Sequence, residues 1–315
     1  VNVIGTFNEW NEESHPMQKL GEGGIWGLFI PGVEEGTMYK FLIYARDGRK
    51  LYKADPFANY AEYRPGTASI VTDITGFDWR DSKWMEARDK KDMNKEPMAI
   101  YECHIGMAQQ EEKVGSYTEF KEKILPRIVA DGYNAIQIMA IQEHPYYGSF
   151  GYHVSSFFAP SSRFGTPDEL KSLIDEAHKM GIAVIMDIVH SHAVKNEVEG
   201  LGRFDGSYNQ YFYGDHRREH PAWDSLCFDY GKNDVIHFLL SNCKYWLDEF
   251  RFDGFRFDGV TSMLYYNHGL GQAFGSYDDY YNGGQDDNAI VYLTLANELI
   301  HQVNPRAITI AEEMS

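Results

Sequence analysis

TPDELKSLIDEAHKMGIAVIMDIV, Thr166 to Val189, is the stretch that decides the fold. Thr166 suits the N-cap of a helix, Pro167 its first position, and Glu169 completes a capping box. Leu170, Leu173, Ile174 and Ala177 recur at helical spacing and mark one buried face. Gly181 stops the helix, as a glycine just past a C-terminus does. The strand-like run IAVIMDIV (Ile182 to Val189) follows at once and is apolar but for Asp187. Strands apolar on both faces, reached through helices, belong to parallel sheets covered by helices.

The same alternation extends on both sides. Before it, AIYECHI (Ala99 to Ile105) reads as a strand, Thr118 to Ala130 as a helix, and NAIQIMAI (Asn134 to Ile141) as a second strand. After it comes a polar and aromatic excursion over 190–231. A helix over Asp234 to Phe250 follows, with Ile236, Leu239, Leu240, Cys243 and Leu247 on one face. GFRFD (Gly254 to Asp258) is the fourth strand, Asp287 to Val303 a helix, and ITIAE (Ile308 to Glu312) the fifth strand. Five βα units fit either an open doubly wound sheet or a barrel. The first βα turn, HIGMAQQ (His104 to Gln110), has no GxGxxG, and no GxxxxGK[ST] occurs elsewhere. The expected fold is therefore α/β: a (β/α)8 TIM barrel of which residues 98–315 carry about the first five βα units.

Residues 1–85 differ. VNVIGTF, GIWGLFI and MYKFLIYA are short apolar-aromatic runs separated by turn signals such as Asp47–Gly48, and predict a small all-β sandwich. Asp81 to Asn94 is charged without β pattern, so 86–97 is expected to be a linker.

Composition bounds the chemistry. The 315 residues are 43% hydrophobic, enough for a sizeable core and about two domains. Aromatics make up 15%, with 22 Tyr, and their flat faces with polar tips suit sugar rings. A net charge of −18 argues against nucleic acid or an anionic membrane as partner and suits a neutral ligand. Three scattered cysteines with no CxxC read as reduced and cytoplasmic. No run of 18 apolar residues is present, and no signal peptide is expected. Val1 already stands in a strand-like stretch, and the true start is expected upstream.

The chemistry-bearing residues lie at strand ends. Asp258 and Glu312 end the fourth and fifth strands, and a parallel barrel gathers such residues at its C-terminal mouth. Two facing carboxyl groups are the minimum equipment for glycosidic bond chemistry. Arg256 lies two residues before Asp258 and points the same way, so it is expected to keep Asp258 ionised. As an isolated RxD the pair would read as a structural ion pair. His190 and His192 form an HxH, but no His follows on strands four and five, so no metal site is expected.

DIVHSHA (Asp187 to Ala193), GFRFDGV (Gly254 to Val260) and AEE (Ala311 to Glu313) occur in order, each at the end of an expected strand. Together they resemble the first three signatures of the α-amylase superfamily of glycoside hydrolases. The stretch Glu143 to His178 is similar nearly residue for residue to eukaryotic-type glycogen and starch branching enzymes. VIGTFNEWN, YKFLI and ADPFA resemble the glycogen-binding-type module that precedes the barrel there. The resemblance covers almost the whole chain. Debranching and trehalose-releasing relatives usually carry Tyr-Asn-His where this chain has His190-Ser191-His192, which favours branching.

The resemblance implies roles. Asp258 would be the nucleophile and Glu312 the general acid/base, with Glu313 the fallback. Arg256, His192, Asp187 and Tyr152 would bind substrate: His192 by a hydrogen bond to the sugar, Tyr152 by stacking on it, Asp187 by bracing Arg256. Trp10, Tyr52 and Lys40 match glucan-binding positions of related front modules, with Trp10 expected to pack in the core and Tyr52 to be exposed. The implied activity is 1,4-α-glucan branching on glycogen or a linear α-glucan, with no cofactor and no metal. A debranching or amylase-type hydrolase and a non-catalytic glucan-binding fragment are the alternatives. The family pattern continues past Ser315, so these residues alone are expected to be poorly folded and inactive.

Overall fold

The computed structural model describes residues 1–90 and 95–313. At the front, β1 (Asn2–Gly5), β4 (Met38–Tyr44), β5 (Lys50–Lys53) and β6 (Ser69–Ile70) form an antiparallel sheet, with β4 pairing the other three. β2 (Gln18–Leu20) and β3 (Ile25–Gly27) form a separate hairpin. The turn between β4 and β5 runs through Gly48 at φ +85°, where its missing Cβ removes the steric penalty.

The second sheet is parallel and five-stranded, in the order β11–β10–β9–β8–β7. Its strands are β7 (Ile100–Cys103), β8 (Ala135–Ile138), β9 (Ala183–Ile188), β10 (Gly254–Phe257) and β11 (Ile308–Ala311). With the β-sandwich module in front, this is a partial (β/α) barrel. The helix that follows β8 forms as its sequence predicts. α2 (Pro167–Lys179) is capped by Thr166, whose side chain accepts from the Glu169 N–H, and Glu169 returns the bond to the Thr166 N–H. α3 (Asn233–Phe250) and α4 (Asp287–Val303) cover the later strands. The helical run before β8 is less regular, with Phe120–Ile124 in a π-helix between two α-turns.

Period two sorts the strand side chains. Ile136, Ile138, Val184, Met186, Ile188, Phe255 and Phe257 join the main core beneath the helices. Ala135, Ala183, Ile185 and Ile308 form a separate cluster on the opposite face, with Ile310 and Trp84 packed against it. Asp187, Arg256 and Glu312 continue that second face toward the strand ends.

Ser82–Lys90, within the stretch read as linker, is a helix, α1. Trp84 Nε1 donates to Asp253 Oδ1 at 3.0 Å, and Arg88 pairs with the same oxygen at 3.2 Å. His178 of α2 sits between Asp81 (2.8 Å) and Asp253 (3.0 Å), stacked on Trp84. The linker residues 91–94 lie outside the described residues.

The excursion 190–231 carries a three-stranded antiparallel sheet of His192–Val194, Ser225–Cys227 and Glu219–His220. The front module docks on it: Arg64 pairs with Glu199, and Lys53 donates to the carbonyl of Gly202 at 2.8 Å. Among the described residues no helix is long and apolar enough to cross a membrane.

Candidate active site

Register brings the site together. Asp187 on β9 is the direct partner of Arg256 on β10, and Arg256 of Ile310 on β11. The backbone ladder continues past both strand ends, with Asp258 N–H donating to Ile188 and Glu312 N–H to Phe257. Arg256 thus stands between three carboxylates. Its Nη1 lies 2.8 and 2.9 Å from the two oxygens of Asp187 and 2.9 Å from Asp258 Oδ1. Its Nη2 lies 2.9 Å from Glu312 Oε1. The other oxygen of Glu312 accepts the Gly259 N–H at 2.7 Å. Gly259 holds φ +66°, and a Cβ there would meet Ser191 Oγ at 3.0 Å and the Trp223 ring at 3.1 Å. The turn that orients Glu312 therefore favours glycine.

Parity separates the adjacent glutamates. Glu312 shares the face of Ile308 and Ile310 and reaches Arg256. Glu313 points the other way, accepts from Thr261 Oγ1 at 3.0 Å and is exposed.

Electrostatically the three carboxylates compete for one cation. Burial pushes Asp258 up to about 7, with Asp187 and Glu312 adding to it and Arg256 opposing. Burial likewise pushes Asp187 up to about 6 against the pull of Arg256 and Tyr152. Arg256 pulls the Asp258 carboxyl down, but desolvation and two like charges outweigh a guanidinium that is itself shared and keep it above the ordinary carboxylate range. Arg256 stays charged: burial works against it, but the carboxylates hold it above its ordinary range.

Tyr152 donates its hydroxyl to Asp187 Oδ2 at 2.8 Å and lines a cavity of about 260 Å³ together with Asp258 and Glu312. His192 lines the same cavity, but its ring nitrogens are occupied. Nε2 lies 2.8 Å from the Tyr152 carbonyl, an acceptor only, so it carries the proton, and Nδ1 accepts from Ser191 Oγ at 2.9 Å. Burial pushes this imidazole down to about 3, so it is neutral. From the cavity wall His192 also braces the Tyr152 backbone. His190 turns into the core, bonded to Asn242 at 2.9 Å and to Tyr292. Among the described residues no group of three His, Cys, Asp or Glu is placed to hold a metal.

Trp223, His153 and Ser149 also line the cavity and were missed in the sequence. Trp223 lies in the excursion, parallel to His220 at 4.0 Å, where neither hydrophobic period nor motif marks it.

The front-module residues lie in and beside the antiparallel sheet, with Lys40 on β4 and Tyr52 on β5. Trp10 is 38% exposed, not core, because a left-handed turn through Glu9 and Trp10 (φ 53° and 60°) carries it outward. Tyr52 is exposed and donates to Glu12, and Lys40 bonds Thr67. Among the described residues no hydrogen bond or ring contact joins the three.

Residues 1–58 match the carbohydrate-binding module 48 (isoamylase N-terminal domain) family, and 125–226 match the alpha amylase catalytic domain. The chain thus holds a carbohydrate-binding module and part of an alpha-amylase catalytic domain. Over its full length it is 48% identical to a 1,4-alpha-glucan-branching enzyme of Felis catus and 44% identical to one of Dictyostelium discoideum. It spans 46% and 47% of those relatives, about half their length. Among solved structures, the catalytic module of a glycogen-degrading pneumococcal virulence factor shares the fold (TM-score 0.67, 19% identity, 94% of this chain and 44% of that one). A pullulanase crystallised with maltotetraose does too (TM-score 0.60, 20% identity, 88% and 37%).

Proposed function

We propose that this chain carries the nucleophile, acid/base and front module of a 1,4-α-glucan branching enzyme. The observation that carries the proposal is the shared guanidinium. One Arg256 holds Asp258 and Glu312 at 2.9 Å each, which supports the short carboxyl separation a retaining double displacement requires. Ionised Asp258 attacks the anomeric carbon and forms a glycosyl ester, while Glu312 protonates the departing 4-oxygen. Glu312, now a carboxylate, takes the proton of an acceptor 6-hydroxyl, whose oxygen displaces Asp258 and makes the α-1,6 bond. The ring of Tyr152 supports the sugar, and Asp187 holds Arg256. Branching-enzyme relatives spanning the whole chain support transfer over hydrolysis.

Glycogen is the proposed substrate and the cytoplasm the proposed compartment. The three buried free thiols support a reducing environment, and the charge of −18 supports a neutral partner rather than nucleic acid or membrane. Trp10, Tyr52 and Lys40 remain proposed contacts of the front module. Because the chain spans about half of its relatives, turnover is expected only from the longer protein.

The test uses the longer protein incubated with amylose. Falling iodine absorbance with constant reducing ends, abolished by Asp258→Ala, is the expected result. Rising reducing ends would mean a hydrolase.

A further inference from the structure

A second aromatic surface lies apart from the carboxylate cavity, and no role proposed above uses it. Tyr277 and Tyr281 are 76% and 68% exposed, among the most exposed large side chains of the protein. They share one helical turn, Tyr277–Tyr281, with ring centroids 5.4 Å apart and hydroxyls 3.4 Å apart. The turn is held from within. Ser276 N–H and Oγ both donate to Asp279 Oδ2, at 2.7 and 3.0 Å. Tyr280, on the inner side, stacks on Phe274 at 4.8 Å and accepts at its carbonyl from Tyr265 at 3.2 Å. Phe274 in turn packs on Tyr265 at 5.1 Å. The two outer rings are thus presented on a braced turn.

This segment connects to the carboxylate cavity. Trp223 lines that cavity and lies parallel to His220 at 4.0 Å, and His220 packs on His268 at 4.4 Å. Ser262 Oγ joins both imidazoles, 3.1 Å from His220 and 3.2 Å from His268. His268 lies in the loop that leads to Tyr277, so the aromatic path from the cavity leads into the loop that presents the pair. Paired exposed tyrosines offer flat apolar faces with hydroxyl tips, the chemistry that receives sugar rings. Asp278 and Asp279 between them disfavour an anionic ligand.

We propose that Tyr277 and Tyr281 form a second binding site for a neutral α-1,4-glucan chain. It holds a length of polymer outside the cavity that contains Asp258 and Glu312. The inference rests on the branching reading above, and its test separates the two. Retention on glycogen in native gels is measured for the protein carrying Asp258→Asn, to prevent turnover, with Trp10→Ala and Tyr52→Ala, so that the front module does not mask the effect. Adding Tyr277→Ala and Tyr281→Ala is expected to weaken retention about five-fold, with unchanged circular dichroism. The Tyr277→Phe, Tyr281→Phe pair, which keeps the rings, is expected to retain most of the binding. Equal retention with and without the alanines would overturn this site alone. Absence of any glycogen retention, in this background and in the protein with its front module unaltered, would overturn both this site and the branching reading.

Discussion

Replacing Asp258 by Asn should make the protein more stable at neutral and alkaline pH, although it removes the proposed nucleophile. The side chain is buried beside Asp187 and Glu312, and its carboxyl titrates at about 7 instead of 3.8. The sign follows from that displacement. Below about 3.8 both folded and unfolded chains hold the proton, and the variant gains nothing. Between 3.8 and 7 the unfolded chain ionises while the folded one does not, so stability falls as pH rises. Above 7 the loss is complete. At 1.36 kcal/mol per pH unit the interval amounts to roughly 4 kcal/mol, an upper bound that residual solvent contact reduces to about 2–3 kcal/mol. Asn keeps the volume and an oxygen that accepts from Arg256. Urea unfolding of parent and variant at pH 4, 6 and 8 measures the effect. The midpoint difference is expected near zero at pH 4 and largest at pH 8. A variant less stable at pH 8, or equally stabilised at both extremes, would refute the reasoning.

Arg256→Gln removes the cation that opposes proton uptake by Asp258 and Asp187. The acid limb of the branching pH profile, set near 7 by Asp258, should move to higher pH, and kcat should fall roughly 10²–10³-fold; a pH series on the longer protein checks both. Gly259→Ala meets a left-handed backbone and close contacts with Ser191 and Trp223, and should cost about 1–2 kcal/mol by urea midpoint. His178→Ala leaves Asp81 and Asp253 buried beside one another and should cost about 3–5 kcal/mol. Burial works to lower the His178 pKa, but the two carboxylates hold it above 6.5. Its contribution is therefore fully present below pH 6.5 and is lost as pH climbs through the raised value, which parent-minus-variant midpoints across pH 5–9 would follow.

Much of the barrel was legible because one physical rule, repeated, wrote it. Every expected strand from Ala99 onward contains an observed one, trimmed at its ends, and the capping box at Thr166 forms as read. Strand parity also assigns Glu312 rather than Glu313 to the face of Arg256, since Ile308 and Ile310 already mark the inner side. The helix over Ser82–Lys90 was hidden for the opposite reason. It has no continuous apolar stripe, and it is fastened by Trp84 and Arg88 to Asp253, about 165 residues away, a pairing that no local pattern encodes.

Neither the occupied nitrogens of His192 nor the state of Asp258 could be read from spacing, and the cause is the same in both. Sequence adjacency tells which groups share a face, whereas protonation depends on how one face is filled. Arg256 beside Asp258 argues for an ionised nucleophile when the two are considered as a pair. Register adds Asp187, the fifth strand adds Glu312, and closure of the site adds burial, so that the balance reverses. The arrangement favours the charged nucleophile only when positive charge develops next to it. An oxocarbenium-like transition state supplies that charge, so a ground state that resists ionising Asp258 is one in which the cluster is stabilised more by the transition state than by the empty cavity.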